Sequence, residues 1–263
     1  MPQRTSYEQG TPSWVDLQTP DPDAAKTFYS ALFGWTWDDQ PIPEGGVYSM
    51  AMLGKDQVSA LAQQPPEMAS AGAPAMWNTY LAVDDVDSAV AKVEGAGGKT
   101  LMPAMDVMDA GRMGFVADPG GAAVGLWQAK EHIGATLVNE PGAIVWNELV
   151  TEDPSAAEPF YREVVGLTTT TMEMGDQPYT LWVAGEAQVG GLMTPQMPGT
   201  PNHWHVYFQV EETDAAIDKA KEHDGRVMAG PFDTPVGRIA ALADPQGGVF
   251  SVLQAPPDSA AGA

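Results

Sequence analysis

Only four histidines occur in the 263 residues, and two of them, His203 and His205, lie in PNHWHVYFQV, which runs from Pro201 to Val210 and alternates like a β-strand. Residues two apart on a strand share a face, so both imidazoles point the same way, beside Tyr207. Such a pair suits either half of a metal site or acid–base work, because imidazole ligates metals and titrates near neutral pH. Two carboxylates have comparable settings: Asp16 in SWVDLQT and Glu148 in VWNELVT each interrupt an apolar strand. A buried carboxylate has to be hydrogen-bonded, paired or protonated. The simplest expectation is that Asp16 bonds Asn78 and Glu148 bonds His205. The functional version makes Glu148 orient His205, or share a proton with it, as a general base, with Asp16 as the corresponding acid in the first half of the chain. A metal triad of His203, His205 and Glu148 is a further reading. It is awkward, because side chains at i and i+2 stand ~7 Å apart along a strand.

Composition narrows the partners. The net charge is −23, from 35 acidic and 12 basic residues, and such a surface repels phosphate backbones and anionic lipid headgroups. A small-molecule ligand is therefore expected, with no nucleic acid and no membrane partner, in a monomer or homodimer. No apolar run approaches the ~18 residues of a membrane span, and MPQRTSYEQGTPSWVDL has no apolar core of a secretory signal. The absence of cysteine removes thiolate metal sites, disulfides and a cysteine nucleophile, and fits a cytoplasmic protein. No phosphate loop, dinucleotide fingerprint, nucleophile elbow or HExxH motif is present, so no cofactor is expected.

The elements that position these residues come from an internal repeat. SWVDLQTPDPDAAKTFYSALFGW, from Ser13, matches VWNELVTEDPSAAEPFYREVVGL, from Val145, with Trp14 on Trp146 and Asp16 on Glu148. WNTYLAVDDVD from Trp77 matches WHVYFQVEETD from Trp204, and GRMGFVADPGGAAVGLWQA from Gly111 matches GRIAALADPQGGVFSVLQA from Gly237. Two homologous domains follow, 1–133 and 134–263, joined around Lys130–Gly142. Each divides again into two βαβββ units. Asp21 caps a helix that opens with Pro22 and closes at Gly34, strands follow near Val47–Leu53 and Gln57–Ala62, and the pattern restarts at Trp77. Asp118-Pro119-Gly120-Gly121 is the turn before the last strand.

Paired βαβββ units, FY followed by LFGW on the first helix, VDDVD at a helix entry and a DPGG turn resemble the vicinal oxygen chelate superfamily of glyoxalases, bleomycin resistance proteins and extradiol dioxygenases. The likeness spans about Pro12 to Ala255 and is similar to that of tandem-domain actinobacterial members. It implies an α+β fold in which each domain curls two βαβββ units into a half-open β-cup. It also implies metal ligands on the first strand of each unit and on the last strands. Here those positions carry Trp14, Asn78 and Gly125 in one domain and Trp146, His205 and Ser251 in the other; only His205 is a good ligand, so the metal site is not preserved in either domain.

The cup faces should then carry Trp14, Asp16, Gln18, Asn78, Tyr80 and Trp127 in the first domain, and Trp146, Glu148, His205, Tyr207 and Leu253, with His203 nearer the mouth, in the second. Trp14, Trp127 and Trp146 are either core packing or flat walls for a planar ligand. Clustered methionines of the first domain, Met50 and Met113 among them, are filler or a soft lining. Arg112 and Arg238 either pair with surface acids or meet a ligand carboxylate. The function expected is metal-independent binding of an apolar or aromatic small molecule, as in drug-sequestering resistance proteins, with acid–base conversion by Glu148, His205 and Asp16 as an extension. The alternative is a metal-dependent glyoxalase- or dioxygenase-type enzyme.

Overall fold

The structure, a computed structural model, describes residues 3–42, 45–174 and 177–256. The first half runs β1 (Pro12–Thr19), α1 (Pro22–Phe33), β2 (Thr36–Pro41), β3 (Val47–Leu53), β4 (Asp56–Gln63), α2 (Pro66–Ser70), β5 (Met76–Ala82), α3 (Val86–Val93), β6 (Lys99–Val107), β7 (Gly111–Ala117) and β8 (Ala123–Ala129). The second half repeats it as β9 (Ile144–Val150), α4 (Pro154–Val165), β10 (Thr168–Met174), β11 (Gln177–Ala184), β12 (Ala187–Met193), β13 (His203–Gln209), α5 (Thr213–Glu222), β14 (Arg226–Thr234), β15 (Gly237–Ala243) and β16 (Val249–Gln254). The reading from sequence caught β3 and β4 to within a residue or two but did not place β2 and β6, the exposed edge strands.

Each half makes one open eight-stranded sheet, in the orders β2-β3-β4-β1-β5-β8-β7-β6 and β10-β11-β12-β9-β13-β16-β15-β14. The central four strands of each are laid out about a local two-fold. β1 is parallel to β4 and antiparallel to β5, which is parallel to β8. The first strand of each unit thus lies at the middle of its sheet, where the residues of interest are densest.

The helices start and stop as their sequences dictate. The Asp21 side chain accepts the Ala24 N–H at 3.0 Å and Gly34 ends α1 at φ 75°; Asp153 and Gly166, at φ 79°, do the same for α4. A left-handed residue at a helix end favours glycine, which has no Cβ to clash.

Alternation along the strands sends one face to each cup and the other to a core that the two halves share. Phe28, Tyr29, Phe33, Trp35 and Trp77 of the first half pack with Phe208, Phe250 and Ile217 of the second in one buried cluster. The Phe33 and Phe208 rings are 5.0 Å apart, and those of Trp77 and Phe208 5.1 Å. A second cluster joins Leu81, Val86 and Leu126 to Leu149, Phe160, Tyr161 and Trp204. The FY helix of each half therefore packs against the other half. No helix among the described residues is long and apolar enough to cross a membrane.

Candidate functional site

In the first cup, Asp16 is buried at the centre of β1, directly opposite Asn78 on β5. Asn78 Nδ2 donates to Asp16 Oδ1 at 2.8 Å, as expected from sequence. The other carboxylate oxygen accepts two hydroxyls, from Tyr80 at 2.8 Å and Tyr48 at 3.0 Å. Trp14 Nε1 donates to the Tyr48 hydroxyl at 2.8 Å. Burial pushes the Asp16 carboxyl above its ordinary pKa, and the three donors oppose that without cancelling it.

The second cup repeats the chain of bonds with a longer acid. The Tyr179 hydroxyl donates to Glu148 Oε1, the Tyr207 hydroxyl donates to Oε2 at 2.8 Å, and Trp146 Nε1 donates to the Tyr179 hydroxyl at 3.1 Å. Glu148 is likewise buried and its pKa raised, chiefly by desolvation. The extra methylene of glutamate needs room, and the neighbouring parallel strand provides it. Asp16 faces Ala60 across the ladder, whereas Glu148 faces Gly191. A Cβ on Gly191 would run into the Tyr179 hydroxyl and stand 2.8 Å from Glu148 Oε1.

One expectation from sequence fails here. Glu148 and His205 are cross-strand partners, but Glu148 spends its oxygens on the two tyrosines, and His205 Nε2 shares a hydrogen bond with Ser251 Oγ at 2.8 Å. The expected Glu148–His205 bond is replaced because phenols from β11 and β13 converge on the carboxylate. Burial, with a smaller contribution from His203, lowers the His205 pKa to about 3. A base that weak is neutral at neutral pH and poorly matched to proton abstraction there; its imidazole is suited instead to hydrogen-bonding a neutral ligand. His203 lies on the same face, ring centroids 5.6 Å from His205, with its Nδ1–H donating to the Pro201 carbonyl at 2.8 Å.

The remaining residues fall as follows. Trp14, Tyr80 and Trp127 are all buried, and Trp127 donates to the His132 carbonyl at 2.9 Å. Trp146, His205, Tyr207 and Tyr179 are half-buried, so the second cup exposes more of the same constellation than the first. Arg112 pairs with Asp87 at 2.7 Å and Arg238 with Asp233 at 2.8 Å, the surface-acid reading of both. Sequence reasoning missed Tyr48 and Tyr179, although each sits in a corresponding strand of the repeat; the shared tyrosine was the available signal. It also missed His132 and Gln57, which meet beside Trp14.

A fold of this kind can carry a divalent metal held by several nitrogen and oxygen donors at about 2.0–2.2 Å. The donor set here does not fit one. The positions at which the resemblance places ligands hold Trp14, Asn78 and Gly125 or Trp146, His205 and Ser251, of which only His205 is a good ligand, and the nearest carboxylates, Asp16 and Glu148, each accept two tyrosine hydroxyls. Among the described residues no three of His, Asp or Glu gather at one point.

Fold, repeat and cup geometry define a class. The profile of the Glyoxalase/Bleomycin resistance protein/Dioxygenase superfamily matches residues 11–126 and again 142–252, and the chain belongs to this superfamily. Particular relatives sharpen the comparison. The chain is 58% identical over 260 residues to the Mycobacterium tuberculosis (strain CDC 1551 / Oshkosh) protein named "Putative glyoxylase CFP32", covering 98% of this chain and 99% of that one. It is 37% identical over 261 residues to "Anthracycline biosynthesis protein DnrV" of Streptomyces peucetius, covering 95% of each. Among solved structures, the 2,3-dioxygenase LapB from Pseudomonas sp. KL28 superposes with a TM-score of 0.64 at 17% identity, over 94% of this chain and 93% of that one. The Mn(II)-bound glyoxalase from Novosphingobium aromaticivorans superposes with 0.62 at 18% identity, over 95% and 84%. Likeness at that identity is likeness of fold.

Proposed function

We propose that this protein binds a planar apolar or aromatic small molecule in its second cup without a metal ion. The observation that carries the reading is an aromatic wall gathered around a buried carboxylate, where a metal site would need several free nitrogen and oxygen donors. Trp146, Tyr179 and Tyr207 form a hydrogen-bonded chain through Glu148, with the neutral His205 left to meet a ligand's polar edge. The 37% identical relative bears a name from anthracycline biosynthesis, and anthracyclines are planar aromatic polycycles, which is in keeping with such a wall. The first cup, whose Trp14, Asn78 and Tyr80 are buried and whose Tyr48 is half-buried, would contribute stability more than binding. The acidic surface argues for a ligand that is neutral or cationic and against nucleic acid.

Titration of metal-stripped protein with planar aromatics should quench tryptophan fluorescence and raise Tm, since a ligand at 100 times its Kd stabilises by about 2.7 kcal/mol. Excess chelator should leave both responses unchanged. A broad aromatic library that produces no Tm shift would refute the proposal.

The rival reading is a metal-dependent glyoxalase- or dioxygenase-type enzyme, favoured by the name of the 58% identical relative. It requires turnover of a hemithioacetal or a catechol that appears with added divalent metal and disappears with chelator. That outcome would replace the binding proposal.

A further inference from the structure

The segment between the two sheets fills a gap in the first cup that no described residue fills in the second. β1 and β4 become paired only at Asp16 and Ala60, and β9 and β12 only at Glu148 and Gly191. Before those points the strands splay, next to bulges in each sheet.

In the first sheet the linker enters the gap. The Ala135 N–H donates to the Ser13 carbonyl at 2.8 Å, the Thr136 N–H to the Gln57 carbonyl at 2.8 Å, and the Gln57 N–H to Thr136 Oγ1 at 2.9 Å. Just ahead of this clasp, the His132 imidazole stands edge-on to the Trp14 indole, with centroids 4.5 Å apart and planes at 85°. It is 5.7 Å from the Trp127 ring, and its Nδ1 is 3.0 Å from Gln57 Oε1. Its Nε2 is buried with no partner among the described residues. Edge-on aromatic contact of this kind is favoured by ring quadrupoles. Burial holds the ring neutral, with a pKa of about 4.

The second sheet has the matching parts, with no plug among the described residues. Trp146 corresponds to Trp14, Val145 to Ser13 and Gln188 to Gln57; the two glutamines lie at the same point of their bulges, opposite Val183 and Met52. Where His132 and the clasp fill the first gap, Val145, Trp146 and Gln188 line a cavity of about 830 Å³ that Arg4 and Tyr7 also line. Trp14 is only 4% exposed, whereas Trp146 is half-buried and Gln188 exposed.

We propose that this cavity is a ligand subsite for a neutral planar ring with a hydrogen-bonding edge, set edge-on against Trp146 and bonded to the Gln188 amide, and that His132 is the chain's own occupant of the equivalent subsite in the first cup. The proposal rests on the reading of the second cup as the binding cup and adds the class of ring, its two anchors and a stoichiometry of one ligand per chain. A ring of this kind would reach the cup wall from the Trp146 end, with His205 and His203 lying further along β13.

Benzimidazole, which carries the N–H and ring nitrogen of an imidazole on a larger plane, is a suitable probe. Calorimetry on the full chain should give one site per chain. Gln188→Leu, at an exposed position that keeps the fold, should weaken binding about tenfold. His132→Gly should empty the first subsite and raise the stoichiometry to two, and free imidazole should raise the Tm of that variant more than that of the wild type. Unchanged affinity in Gln188→Leu, or a stoichiometry of one in His132→Gly, would overturn the proposal. Planar polycycles that bind whether or not Gln188 is replaced, yet lose affinity in Tyr207→Ala, would also overturn it while leaving the second cup as a binding cup. Failure of every planar ligand would remove both readings.

Discussion

His205 shows how one side chain's surroundings decide its chemistry. On sequence it is a histidine beside a carboxylate, and that pairing would raise its pKa. In the structure the carboxylate is taken by Tyr179 and Tyr207, and desolvation governs instead, lowering the pKa to about 3. The consequence for stability has a definite sign. Below its ordinary pKa of 6.5, the imidazole of the unfolded chain takes up a proton while the folded one does not, so the unfolded state binds more protons and stability falls with pH from 6.5 towards about 3. Urea midpoints of the wild type and His205→Gln should therefore diverge as the pH drops below 6.5, with the wild type losing more. Parallel curves would show that His205 is not held neutral.

At the scale of the element, the two cups differ by paired changes on neighbouring strands. Asp16 on β1 goes with Ala60 on β4, and Glu148 on β9 with Gly191 on β12. Gly125 on β8 goes with a Tyr80 ring that a Cβ there would strike, whereas Ser251 on β16 supplies the hydroxyl that holds His205. Gly191→Ala should cost about 1–3 kcal/mol, the usual range for overpacking, because the methyl displaces the Tyr179 hydroxyl from Glu148. Ala60→Gly makes the mirror change without a clash and should cost only the ~0.5–1 kcal/mol of added chain freedom. Chemical denaturation of the two variants measures both, and equal losses would show that the longer acid is not what requires the glycine.

The whole molecule is tied together through its repeat. The Tyr29 hydroxyl on α1 donates to Asp244 Oδ2 in the last turn of the other half at 2.9 Å and accepts from Trp77 Nε1 at 3.1 Å. Tyr161 on α4 does the same with Asp118 at 3.2 Å and Trp204 at 2.8 Å. The FY pair and the DPGG-type turn, picked out as motifs of one domain, thus meet between domains. Tyr29→Phe and Tyr161→Phe each leave a buried indole N–H without its partner, a loss of about 1–3 kcal/mol. Thermal unfolding should show a comparable drop in the two variants, while ligand affinity of the second cup stays unchanged. A drop in only one would mean that the two junctions are not equivalent.

Much of this was legible in the chain. Capping residues and period-two alternation act over neighbours close in sequence, and the repeat is visible by comparing the chain with itself, so the βαβββ units, the two copies and the Asp16–Asn78 bond could be read from it. The choice of partners was not local. Tyr48 and Tyr179 reach their carboxylates from strands whose register depends on the bulges beside them, and the Glu148–His205 pairing lost to those phenols through distances no spacing encodes. The sequence by itself determined two copies of one cup. Only the tertiary structure decided that they differ, because a linker that could run in many directions carries His132 into one cup, where a histidine ring packs on Trp14, and leaves Trp146 and Gln188 open to the cavity in the other.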